Sequence, residues 1–404
     1  MQSGASPWTS SDTSRTSTRS STPRSSREAA ERTALRTEAA VIGAGPAGLI
    51  AARELAGRGF EVKVFEEHHV IGEPNHCAGI LSVEGLKRLE IKPDKQFIQH
   101  EIKGGTIFSP SGADIRISGG RTRAYIVDRA LFDRYLAGMA HDAGAEIETG
   151  HRIKELSTRN RRVVGVRGDA DVRSEIVLDA EGASGALARR IGLPGPEEGI
   201  LAGVNVDIPT LEMEHGMVEV WLGEDLAPGL FAWAVPTGEA GARCGLATEN
   251  GDSLELVKGF IERRFGVKDC ADPVRWPVLT SGPVEKTYTD GLLLMGDVAG
   301  QAKPTTGGGV VLGGMCAMMA AEVAVEAIEA GDTSAAFLRR YEERWRGALG
   351  REFSSMLGVR RILNGLPDDR LDRVFDSLKA SGLEPTLERF VDEGDMDLQS
   401  GVLR

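Results

Sequence analysis

Between Ala39 and Glu66 the chain passes through a short apolar stretch, a glycine turn, an alanine-rich segment and a second apolar stretch ending in an acid. This pattern predicts strand, turn, helix and strand in succession. A further apolar run from Asp290 predicts a strand ending at Gly296. Two blocks alternate apolar and polar positions, Glu101 to Ile117 and Gly203 to Leu246. The second contains GVNVDI, MVEVWLG, LFAWAVP and ARCGLAT with turn residues between them, and predicts an antiparallel sheet. From Ala335 the period becomes helical, with Phe337, Tyr341 and Trp345 four apart on one face and arginines on the other. Such a stripe reads as core, with the wall of an apolar tunnel as the functional alternative.

The first 36 residues are crowded with Ser, Thr and Arg, and Trp8 is nearly their only large apolar side chain. They cannot bury enough surface to fold, so a disordered tail or an overlong start is expected, with the ordered chain beginning near Thr37. Their composition also resembles an organelle transit peptide, but they lack a clear amphipathic stripe before Arg27. Expected boundaries are 37–100, 119–195 and 284–332 for a discontinuous nucleotide domain, 101–118 and 196–283 for a substrate domain, and 333–404 for a C-terminal helical region.

Composition narrows the function. The chain has 404 residues and a net charge of −12, so general nucleic-acid binding, which needs a basic face, is disfavoured. Cys77, Cys244, Cys270 and Cys316 are widely spaced without a C-x-x-C pair. That argues against a metal site, an iron–sulfur cluster or a disulfide framework. On the sequence, runs that approach the roughly 18 to 20 apolar residues needed to span a bilayer are not expected. A cytoplasmic protein is expected, with any membrane contact peripheral.

The turn reads Gly43-Ala44-Gly45-Pro46-Ala47-Gly48. Gly43 permits a tight exit from the strand, Gly45 a close approach of backbone to a pyrophosphate, and Gly48 close packing of helix on sheet. Glu66 is spaced to accept from a ribose hydroxyl. The segment Asp290–Gly300, DGLLLMGDVAG, adds Asp297 at the expected mouth of the next helix, where it can meet a ribityl hydroxyl or act as an ordinary N-cap. The pair resembles the two-part FAD signature of the glutathione-reductase-like flavoproteins. That resemblance implies an α/β fold with a Rossmann FAD domain and an inserted antiparallel-sheet substrate domain. Ile176 to Arg190 resembles the A-D-G-x-S…R segment of flavin hydroxylases, with Glu181 where aspartate is usual. In YIVDRALF, Arg129 opens a helix, and the resemblance implies that it faces the FAD pyrophosphate.

Three further segments resemble the FAD-dependent geranylgeranyl reductases. They are Gly300–Gly314 (GQAKPTTGGGVVLGG), Phe231–Pro236 (FAWAVP) and the cysteine-bearing Gly72–Ser82 (GEPNHCAGILS), the last like archaeal members that saturate ether lipids. Phe231 and Val235 replace the tyrosine and phenylalanine of the Y-x-W-x-F-P motif, while Trp233 and Pro236 match. FAD is expected to be non-covalent, since no histidine or cysteine sits in an evident attachment motif, and to be held by Gly43, Gly45, Ala47, Gly48, Glu66, Arg129, Asp297, Gly309 and Val310. The resemblance also implies prenyl-chain contacts at Phe231, Trp233 and Pro236, and chemistry at Cys77, Gly307 and Gly308.

Reducing an isolated alkene needs a hydride on one carbon and a proton on the other, in a pocket closed to water. Cys77 is the expected proton donor or cavity wall, with an inert buried thiol as the alternative, and His76 is a weaker acid candidate. The amides of Gly307 and Gly308 are expected to stabilise charge on the reduced flavin. The expected substrate is an isoprenoid lipid, and the expected electron donor a ferredoxin or NAD(P)H. Lys286 and Lys303 read as solvated cations within reach of a substrate phosphate. A flavin monooxygenase or halogenase, and an electron-transfer flavoprotein dehydrogenase, are the competing readings.

Overall fold

A computed structural model describes residues 35–169, 171–210, 212–270, 272–382, 386 and 394–401. The expectation of a disordered tail therefore falls, but for Leu35 and Arg36, outside the described residues. The first described element, the strand Leu35–Ile42, opens two residues before Thr37, and Arg36–Arg404 form one compact unit. The helices in chain order are α1 (Pro46–Ala56), α2 (Val83–Arg88), α3 (Arg129–Asp142), α4 (Ala186–Arg190), α5 (Ser253–Phe265), α6 (Val310–Glu329), α7 (Ala335–Asn364) and α8 (Asp368–Ser381).

The nucleotide sheet has Leu35–Ile42 near its centre. It pairs in parallel with Val62–Glu66, which pairs in parallel with Glu146–Thr149. On the other side lies Asp171–Asp179, followed by Leu292–Leu294, again parallel. Strands buried on both faces explain the near-continuous apolar runs AAVI and LLL. Helices α1, α3 and α6 cover one face, where the largest apolar cluster sits.

A second sheet of seven strands carries the alternating segments. Along Ala232–Thr237, Phe231, Trp233 and Val235 join one apolar cluster while Ala232 and Ala234 join another under α5. This is the period of two expected of a strand. The sheet is antiparallel except that Gly104–Phe108 runs parallel to Met217–Trp221. The block Glu101–Ile117 is divided, because Ile98–Ile102 belongs to a separate three-stranded sheet with Ile80–Ser82 and Ala124–Val127.

The stripe on α7 is core. Tyr341 and Trp345 are wholly buried. The Tyr341 hydroxyl accepts from Gln301 Nε2 at 2.9 Å, and Trp345 Nε1 donates to Thr287 Oγ1 at 3.0 Å. Among the described residues α6 is the one helix long and apolar enough to cross a membrane, with a mean hydropathy of 1.7. This corrects the sequence estimate that no run comes close. Its packing on α1 and α7 makes it an interior helix.

Candidate FAD and substrate site

One cavity of about 760 Å³ runs from the Gly43–Gly48 turn to the loop before α6. All nine residues expected to hold the cofactor line it: Gly43, Gly45, Ala47, Gly48, Glu66, Arg129, Asp297, Gly309 and Val310. At its nucleotide end, Gly43 has φ +92°. A Cβ there would stand 2.4 Å from the Ala180 carbonyl oxygen, and one on Gly48 would stand 1.9 Å from that of Gly43. A Cβ on Gly45 would meet no protein atom within 4 Å, so its missing side chain leaves open space on the cavity wall. Among the described residues no side chain caps α1, and its first-turn amides are available to an anion. Glu66 accepts from Ala44 N at 2.8 Å and His68 N at 2.9 Å, which holds the carboxylate at the turn.

Glu181, the departure noted in the sequence, has a structural partner set. Its carboxylate accepts from the amides of Ala186, Leu187 and Ala188 at 2.8–3.2 Å and caps α4. Behind it Asp179 is fully buried and accepts from Glu181 N, while its Oδ2 has no partner among the described residues. Burial, then the charge of Glu181, pushes the Asp179 carboxyl well up.

At the opposite end Asp297 lies within a 3₁₀ turn, Gly296–Ala299, and the strand before it stops at Leu294. This corrects its expected position at a helix start, since the next helix, α6, begins thirteen residues later. The loop between folds on itself. Thr306 N and Gly307 N donate to the Lys303 carbonyl, and Lys303 N donates to Gly308 O. Gly308 N points to Thr306 Oγ1 at 3.4 Å. The amides of Gly307 and Gly308 are thus engaged within the loop. The uncapped start of α6 at Gly309–Val310 is the part that offers free donors. Gly307 lines the cavity and Gly308 does not. Gly309 lies so close to Asp297 that a Cβ would stand 2.7 Å from Oδ1. Burial raises the Asp297 carboxyl, opposed by the Arg129 charge.

Arg129 opens α3 after Asp128, whose side chain caps the helix by accepting from Leu131 N. Its Nε and Nη2 both reach Asp133 at 3.1 Å, one helical turn on. The Arg129 pKa rises because, although burial opposes it, Asp133 and then Cys77 favour the charged form. Burial raises Asp133, against the pull of Arg129. Cys77 lines the cavity beside Arg129. Its thiol accepts from Gly79 N at 3.4 Å and its carbonyl from Arg243 Nη1 at 3.1 Å. Arg243 is itself held bidentately by Asp207, so the cysteine segment is tied to the substrate sheet. His76 stacks near Trp276 at 6.1 Å, and burial, then Arg129, lowers its pKa.

Phe231, Trp233 and Pro236 do not line the cavity. Trp233 donates to Asn205 Oδ1 at 3.0 Å and lies 6.2 Å from Trp276, which does line it. Phe231 sits edge-on to Trp233 at 6.1 Å. Pro236 is buried and, by alternation, shares the opposite face with Ala232 and Ala234. Sequence reading missed Trp276, Arg243 and Asp133. Of these only Asp133 carried a local signal, its i,i+4 spacing from Arg129.

Residues 36–348 match the FAD binding domain family. The chain is a flavoprotein of that class, an FAD-dependent oxidoreductase. Digeranylgeranylglycerophospholipid reductases of Methanothrix thermoacetophila and Methanocaldococcus jannaschii are 33% and 34% identical to it. They cover 92% and 87% of this chain and 95% and 93% of their own. The chain belongs to this family of FAD-dependent geranylgeranyl reductases. A geranylgeranyl bacteriochlorophyll reductase-like protein of Thermoplasma acidophilum superposes with a TM-score of 0.80 at 29% identity, covering 85% of this chain and 91% of its own. A flavin-dependent brominase, at 18% identity and a TM-score of 0.63 over 88% of this chain and 99% of its own, shares the fold.

The residues present fit FAD. Gly45 and the uncapped α1 would receive the pyrophosphate, Glu66 a ribose, Asp297 the ribityl chain, and the start of α6 the pyrimidine edge of the flavin.

Proposed function

We propose that this protein saturates the C=C bonds of geranylgeranyl chains carried on a glycerophospholipid. The observation that carries the reading is that Cys77, Gly307 and Trp276 line the same cavity as the nucleotide turn, and that Trp276 also packs on an apolar cluster that includes Trp233, Val235, Ile80 and Phe231. FAD, when bound, supplies the hydride. The chain's own residues orient the alkene, exclude water and deliver the proton. Trp276, Pro277 and Leu279 form the apolar wall. Cys77 Sγ, beside the fixed charge of Arg129, is the proton donor of this reading, and the uncapped amides of α6 favour negative charge on the flavin.

Electrons enter from a ferredoxin or NAD(P)H. The substrate resides in a bilayer, so the enzyme works at a membrane surface. The exposed Ile362, Leu363 and Val374 around the α7–α8 turn support such contact.

The test is anaerobic. The flavin is reduced with dithionite, digeranylgeranylglycerophospholipid is added, and flavin reoxidation is followed together with product mass. Reoxidation with a gain of two hydrogens per reduced bond is expected. A flavin that stays reduced with lipid, yet reoxidises with oxygen and an aromatic substrate, overturns the reading in favour of a monooxygenase.

A further inference from the structure

The segment Gly394–Gly401 is fastened at several points to α2 and the residue before it, to the loop before α6 and to α7. Asp397 is 1% exposed. Its Oδ1 accepts from Lys303 Nζ at 2.9 Å, and its Oδ2 accepts from Ser82 Oγ. Lys303 Nζ also reaches the Met396 carbonyl at 3.3 Å. Lys303 is therefore not the solvated cation expected from sequence. Thr305 Oγ1 donates to Gln399 Oε1 at 3.0 Å, Arg88 pairs with Asp395, and Ser400 N donates to Glu352 at 2.8 Å. Gly85 provides clearance for this anchor, since a Cβ there would lie 2.8 Å from Asp397 Oδ2.

Lys303 and Thr305 belong to the loop that ends at the start of α6, so the segment is anchored to the loop whose Gly307 and Gly309 line the cavity. Two of its side chains point into apolar clusters. Leu398 packs against the main core. Met396 packs, only partly buried, against the cluster of Trp233, Val235 and Val278, together with Ile80, Phe231 and Trp276. These partly buried apolar side chains come from the cysteine segment, the substrate sheet and the C-terminal segment. They share one apolar neighbourhood next to Cys77 and the cavity wall.

We infer that Gly394–Gly401 is a strap forming one wall of the prenyl-chain site. Met396 is its specificity-determining side chain, and Lys303, Asp397 and Ser82 are the anchor that positions it. The inference rests on the proposed substrate class and adds the residue that grips the hydrocarbon beyond the reacting bond. Methionine suits this place because its unbranched, polarizable chain follows an irregular apolar surface. A polyprenyl chain that reaches Met396 gains contact there, and a short chain that stops before it does not.

The test uses full-length holoenzyme and reads binding from the shift of the flavin absorption bands, which requires no turnover. Glycerophospholipids bearing geranylgeranyl or geranyl chains are titrated against wild type, Met396→Ala, Met396→Phe and Met396→Leu. Met396→Ala is expected to weaken binding of the long chain about ten-fold and to leave the short chain within about two-fold. Met396→Phe should weaken the long chain at least as much by filling its path. Met396→Leu, which nearly conserves volume, should restore wild-type selectivity. FAD content and flavin midpoint potential stay unchanged in all three. Equal losses for both chains, or no loss for either, overturn the inference, as does a fall in FAD content and Tm without a change in selectivity. Wild type that binds the long chain but returns it unreduced sinks the reductase reading and leaves the strap standing. Wild type whose flavin bands respond to neither lipid overturns both.

Discussion

Arg129 and Asp133 concentrate the electrostatics of the site in one buried pair whose two side chains are 10% and 9% exposed. Removing one partner from such a pair leaves a buried charge and costs about 3–5 kcal/mol, whereas replacing both with apolar groups is often neutral. Arg129→Met is therefore expected to lower Tm markedly. The double change Arg129→Met with Asp133→Leu should recover most of that loss yet still bind FAD weakly. If the double variant binds FAD as well as wild type, Arg129 serves the fold and not the cofactor. Cys77 beside it has the role proposed above. Cys77→Ala should slow alkene reduction by about ten-fold or more while FAD stays bound, and unchanged single-turnover rates would remove the thiol from the mechanism. Asp179 is a third case. Its folded-state pKa lies above the unfolded value, so its favourable contribution is complete at low pH and is lost as pH rises through the folded value. Asp179→Asn keeps the oxygen that accepts from Glu181 N and removes the charge. The variant should match wild type near pH 4 and become more stable at neutral pH by about 1 kcal/mol or more, as melting curves across that range would show. A gap that does not widen with pH would contradict the assigned cause.

At the scale of elements, the Gly43–Gly48 turn was legible because its chemistry is local: a strand, a left-handed glycine and a helix that must approach closely. Its glycines nevertheless act through different physics. Gly48→Ala would drive a Cβ into the Gly43 carbonyl at 1.9 Å, which is expected to reduce stability whether or not FAD is present. Gly45→Ala meets only open cavity, so the apoprotein should melt as wild type does while FAD affinity falls. Thermal denaturation of apo and loaded forms separates the two, and equal melting losses in both variants would refute this division. The start of α6 was legible from Gly307–Gly309. The placement of Asp297 was not, because LLLMGDVAG carries no mark that distinguishes a 3₁₀ turn from the first turn of a longer helix. Nor does alternation name a strand's partner: Gly104–Phe108 alternates with the rest of the sheet but pairs in parallel with Met217–Trp221. The same limit explains Trp276. Its strand, Val274–Leu279, follows α5, and its approach to the cavity depends on pairing with Ile200–Pro209 across seventy residues.

At the scale of the whole molecule the cavity has no local owner. Its lining comes from the first turn, from Glu66 to Cys77, from α3, from His151 to Lys154, from the Ala180–Arg190 region, from Trp276 to Leu279 and from Met295 to Val310. The lining segments span most of the described chain, which is why single motifs revealed the cofactor but not the shape of the cavity. The C-terminal strap was invisible in the sequence for the same reason, since its partners Ser82 and Lys303 lie more than ninety residues away. A ligand bound only by the folded state stabilises it by RT ln(1 + [L]/Kd), about 2.7 kcal/mol when free FAD is a hundred times Kd. For a unit of this size each kcal/mol moves Tm by roughly 2–4 °C or less. Because the site draws on both sheets and α6, the gain should appear as a rise of the whole transition rather than of an isolated phase. Calorimetry of apoprotein titrated with FAD is expected to show one peak moving upward by several degrees and growing with the logarithm of free FAD. A peak that splits, with only part of the heat following FAD, would show that the substrate sheet and the nucleotide sheet unfold separately and that the cofactor does not couple them.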